Sequence, residues 1–218
     1  MKLLYEGERL GGLFLMLGAA SLLFIIVEYI LLSAGAPGLD NLPERAAYFL
    51  ERYPSFARGW HFEVVAMALV GAGALVRLDG PAKAGWGLVA IGVAGVLPMY
   101  PLMIGGYVPA LEAAQDDVLA YKIVNEIAWE IFVVGNMILN LGLALAFWLE
   151  CGASLQRPPR WLMWIGFGSN LIAGLGMLAR HAGLPVQISV AGSFALVGFL
   201  VLAVFGAFQA FKREPNSK

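Results

Sequence analysis

Glu126 and Glu130 stand four residues apart in KIVNEIAWEIFVVGNMILNLGLALAFWL, so a helix brings both carboxyls to one face. Asn125, Asn136 and Asn140 join them within an arc of roughly 140° at about 100° per residue. Two carboxyls held together in a low-dielectric site suit general acid–base work or proton binding. Glu63 and His61 add a third carboxyl and an imidazole. These four, Glu126, Glu130, Glu63 and His61, are the candidate catalytic residues. A metal is not expected. His61 and Glu63 are two residues apart and point to nearly opposite helix faces, and no HExxH or Glu-x-x-His pairing occurs. A haem between His61 and His181 has no supporting signature either. No cofactor is specified. The structural alternative is that Arg180, Arg58 and the two histidines neutralise the carboxyls as a packing network.

Those residues lie in a chain built for lipid. Of 218 residues 60% are hydrophobic and 13% charged, where a soluble domain has about a quarter charged, and mean hydropathy is +0.78. The net charge of −1 gives no reason to expect nucleic acid as a partner. The single cysteine, Cys151, excludes an internal disulfide and a CxxC redox pair, and reads as an inert thiol at a helix end. The fold class is all-α: a polytopic bundle of six transmembrane helices in one domain, 1–211, followed by a polar cytoplasmic tail, 212–218. Hydropathy places the spans at about 10–34, 56–78, 84–105, 119–149, 161–180 and 187–211. Glu6 and Glu8 occupy the place of a basic signal region, so the first span is expected to be retained. Leu42, Ala46, Phe49 and Leu50 recur at helical spacing between charges. They predict a short amphipathic helix on the membrane surface in the first outer loop, ended by Pro54. Pro98 and Pro101 predict a bent or loosened end to span three. Glycines inside the spans predict close helix contacts. Trp60, Tyr53, Tyr107, Trp161 and Trp164, near span ends, read as interface anchors.

Orientation follows the Lys/Arg bias. Lys2, Arg9, Arg77, Lys83, Arg157, Arg160, Lys212, Arg213 and Lys218 share the side of the termini, against Arg45, Arg52, Arg58, Lys122 and Arg180. Both termini are therefore expected in the cytoplasm, with the chain in the plasma membrane. Placed by depth, Glu28, His61, Glu63, Tyr100, Asn125, Glu126, Glu130, Arg180 and His181 fall at one outer level. This level predicts a polar cavity in the outer leaflet, floored by an apolar bundle. Glu28, Tyr100, Asn125, Trp129, Arg180 and His181 are its candidate ligand-binding residues, Trp129 because it sits between the two carboxyls of the polar arc.

The ERLGGLFLMLGA opening, the long polar loop before FARGWHFEVV, and RPPRWLMWIGF resemble an uncharacterised bacterial six-span membrane family, a domain of unknown function. That resemblance implies the fold and carries no functional residues. Glu63, His61, Glu126 and Trp129 are similar in type to the pocket residues of sterol-isomerase-like membrane enzymes and sigma-type receptors. The leading expectation is a membrane protein, or accessory subunit, whose outer cavity binds a small apolar or lipid-like ligand. One alternative is a membrane enzyme using glutamate as acid and base on an isoprenoid, sterol-like or lipid substrate. A second is a proton-coupled transporter. Membrane lipid is the expected partner, and homo- or hetero-oligomers are compatible with the chain.

Overall fold

A computed structural model describes residues 2–38, 40–114, 116–151 and 158–211. The described residues are helical, without strands, and six helices are long and apolar enough to cross a membrane. The chain is a multi-pass membrane protein. α1 is Lys2–Ser33 and α2 is Leu42–Val76. The third crossing is segmented into α3 (Lys83–Val96), α4 (Met99–Pro101), a π-helical turn (Leu102–Gly106) and α5 (Tyr107–Ala113). α6 (Val118–Glu150), α7 (Arg160–His181) and α8 (Ile188–Ala210) complete the bundle. Lys212, Arg213 and Lys218 of the expected tail, and Arg157, lie outside the described residues.

The crossings form a closed ring. α1 packs on α2, α2 on α3, α3 on α6, α6 on α7, α7 on α8, and α8 returns to α1. Charged residues mark two levels on it. Arg9 and Glu28, Arg58 and Arg77, Glu130 and Glu150, and Arg160 and Arg180 are each 19 or 20 residues apart. At 1.5 Å per residue this is about 30 Å, the thickness of a bilayer core. We call the level of Arg9, Arg77, Glu150 and Arg160 the terminal end, and the other the distal end.

The terminal half is closely packed. Along the α3–α6 seam the backbones touch: a Cβ on Gly92 would lie 2.6 Å from the Leu139 Cα, and one on Gly142 2.6 Å from the Val89 nitrogen. Lipid provides no hydrophobic drive between helices, so such close approach is what holds them together. Trp86, Phe147 and Phe205 fill the space beside the seam, with ring centroids 5.7 and 5.9 Å apart.

The expected surface helix is instead the first part of α2, which runs unbroken through Pro54. Asn41 caps it by accepting from the Glu44 N–H, with a proline in the first turn. Proline costs one hydrogen bond inside a helix, and tertiary contacts hold the segment in line. Tyr48 donates to the Leu32 carbonyl (2.7 Å), one of those left free at the end of α1, and Arg45 donates to the Pro37 carbonyl (2.6 Å). Tyr53 donates to the Ile104 carbonyl in the π-helical turn. The extension is thus docked over the distal end of the ring. The two prolines of span three do interrupt the α-helical ladder as expected. The helical path then continues to Ala113, beyond the expected end at 105.

Candidate functional site

The distal half of the ring holds a half-open cavity of about 570 Å³, within the usual size range of small-molecule sites. Each crossing contributes to its wall. α1 gives Leu22, Ile26 and Tyr29, and α2 gives Trp60, Glu63 and Met67. The segmented third crossing gives Met99 and Met103, and α7 gives Met177. α6 gives Asn125, Ala128, Trp129, Phe132 and Asn136, a stripe at helical spacing, and α8 gives residues from Ser189 to Phe199. The lining is mostly apolar, and four methionines supply surface that adapts to shape.

Of the ten expected site residues, three reach the cavity: Glu63, Asn125 and Trp129. Glu63 is 6% exposed and its Oε2 accepts from the Tyr29 hydroxyl at 2.9 Å. It lies five residues, about 7 Å, inside the level of Arg58. Asn125 accepts from the Tyr107 hydroxyl at 3.1 Å, which fixes its amide at the wall. Trp129 stacks on Phe132 with centroids 5.8 Å apart. Tyr100 is buried behind the lining, with its hydroxyl facing the Glu63 carboxyl.

The remaining six stand on the rim or outer surface. Arg58 donates to Glu28 at 2.8 Å. His61 turns its Nδ1 to the Ala57 carbonyl at 2.6 Å, within its own helix, so Nδ1 carries the hydrogen. Glu126 faces Lys122 at 3.9 Å, both more than half exposed. Glu130 meets the Nδ1 of His181 at 3.1 Å, again on an exposed edge. Arg180 is exposed. The carboxyls therefore do not converge: Glu28, Glu126 and Glu130 sit in separate pairs at the rim, and of these four Glu63 is the one that lies within the bundle. The polar arc of α6 divides accordingly. Asn125, Asn136 and Asn140 turn inward, the last two donating to carbonyls of their own helix at 3.0 and 2.7 Å, while Glu126 and Glu130 turn outward.

Sequence reasoning missed Tyr29, Trp60, Phe132 and the methionines of the wall. Trp60, expected as an interface anchor, is 7% exposed and packs edge-on against buried Tyr107 at 5.7 Å. Trp161 and Trp164, 63% and 51% exposed, keep positions suited to anchors. A coarse signal was present: Met67, Met99, Met103 and Met177 all fall in the distal half of three separate crossings. Cys151, just past the end of α6, has its thiol pushed up by burial, with Arg160 partly offsetting, which makes it a poor nucleophile near neutrality. Comparison with known proteins finds no family model, no curated protein and no solved structure that matches this chain.

Proposed function

We propose that this membrane protein binds one small apolar or lipid-like molecule in its distal cavity. The observation that carries the reading is the cavity itself: an apolar, methionine-rich void of about 570 Å³ with one buried carboxyl in its wall. A void of this size is costly to leave empty, because the atoms lining it have no packing partners on one side, and a ligand supplies them. Acid–base catalysis by Glu126 and Glu130 would need both to face a common void. Their exposed pairing with Lys122 and His181 favours binding over that chemistry. Transport would need a path through the terminal half, where the α3 and α6 backbones are in contact.

Native mass spectrometry after extraction in mild detergent tests the reading. The chain should carry one added small-molecule mass, and Gly192→Phe, at a lining position where an added Cβ meets nothing within 4 Å, should remove it without loss of thermal stability. Repeated recovery of a bare wild-type chain contradicts the proposal.

The same reading places the chain in the plasma membrane with both termini cytoplasmic, supported by the Lys/Arg excess on the terminal side. In a Cys151→Ala background, Asp116→Cys should react with an impermeant maleimide in intact cells, and Arg160→Cys only after permeabilisation. The reverse pattern would invert the topology.

A further inference from the structure

We propose that the cavity selects amphiphiles carrying an amine, whose ammonium group pairs with Glu63 while the chain lies against the methionine wall. The inference rests on the ligand-binding reading above and names the chemistry of the ligand.

Charge decides the choice. Residues lining the cavity include one ionisable carboxyl, Glu63, and no lysine, arginine or histidine. Four other carboxyls near this level have cationic neighbours: Glu28 has Arg58, Glu51 has Arg52, Glu126 has Lys122 and Glu130 has His181. Glu63, the most buried of them, has no ion pair. Its polar partners are two neutral hydroxyls, Tyr29, which donates to it, and Tyr100, which faces it. Buried charges are ordinarily paired, since desolvation without a partner costs several kcal/mol. A carboxylate can accept about four hydrogen bonds, so Glu63 retains capacity for an ammonium donor. Arg58 cannot serve, because it is held at the surface by Glu28 and its side chain is 62% exposed.

The surroundings suit a cation and oppose an anion. Tyr29 on α1 and Trp60, one turn before Glu63 on α2, both line the cavity and belong to a stack through Phe56, with centroids 6.1 and 6.0 Å apart. Aromatic rings next to a carboxylate favour an ammonium over a neutral head. The neutral Asn125, Ser189 and Ser193 of the upper wall offer an anionic headgroup no countercharge. Below Glu63 the wall is apolar at Leu22, Met67 and Phe199, with Asn136, whose amide donates to its own helix, the polar group among them, which places a hydrocarbon chain deep and the amine at the level of Glu63.

Decylamine, decanol and decanoate, equal in chain length, are the probes, titrated by native mass spectrometry onto the full chain in nanodiscs of zwitterionic lipid. Wild type should bind decylamine at least about tenfold more tightly than decanol, and Glu63→Gln should remove that preference while leaving decanol within about twofold. Equal affinity for decylamine and decanol, a preference for decanoate, or an amine preference that survives Glu63→Gln overturns the inference and leaves the cavity reading standing. Failure of all three probes to bind overturns both. If Glu63→Gln does not fold, the wild-type comparison alone decides.

Discussion

Gly92→Leu is expected to lower the stability of the bundle by about 3 kcal/mol, a fall of roughly 6–12 °C in Tm for a chain of this size. The reason is geometric. A Cβ at this position would already lie 2.6 Å from the Leu139 Cα, so the obstacle is backbone that cannot rotate away. The helices must separate, and the repeats of the same close approach at Gly85 against Ala146 and Gly142 against Val89 separate with them. Because lipid supplies no hydrophobic drive between helices, no other force compensates for a seam that has been prised open. Gly168 provides the control: a Cβ there meets nothing within 4 Å. Gly168→Ala should leave Tm unchanged or raise it, since alanine is the better helix former. Equal effects of the two substitutions would refute the seam as the structural anchor of the ring.

The second large effect is expected at the terminal end. Arg77, at the end of α2, donates to Glu150, at the end of α6, at 2.6 Å, and the two side chains are 9% and 1% exposed. Trp86 Nε1 donates to the same carboxylate oxygen at 3.2 Å. The guanidinium carbon lies 5.1 Å from the Trp86 ring centroid and 4.8 Å from that of Phe205. Arg77→Met leaves a buried carboxylate without this cation and should cost about 3–5 kcal/mol. Adding Glu150→Met should recover a substantial part of the loss, because the pair as a whole contributes less than either partner's removal suggests. Thermal unfolding of the two single variants and the double variant measures this directly. Additive losses would mean that the two groups act independently.

Much of the fold was legible because hydropathy reports a lipid-spanning helix almost without regard to context. The six crossings follow from it, and most of their ends lie within a few residues of those expected. Pro54 was misread because a local rule, that proline ends a helix, lost to tertiary interactions. Tyr48, Arg45 and Tyr53 bond carbonyls at the end of α1, in the loop after it, and in the π-helical turn. None of these pairings is visible in a linear pattern.

The candidate site was legible in depth but not in direction. Counting at 1.5 Å per residue put the polar residues near one level, and the cavity is in that half of the bundle. Which side of each helix faces inward depends on the neighbours. The polar arc of α6 covers roughly 140°, wide enough for Asn125 and Asn136 to line the interior while Glu126 and Glu130 face out. The 20-residue spacing of Glu130 and Glu150 already marked Glu130 as an edge residue. Glu63, five residues inside Arg58, was the carboxyl that the same count leaves within the membrane.

The most direct test of the central claim is an experimental density map of the wild-type chain in lipid nanodiscs, prepared without added ligand. The binding account predicts continuous non-protein density inside the ring of helices, touching Glu63, Met67 and Phe132. A cavity holding only ordered water, or closed by inward movement of α8 against α6, would contradict it.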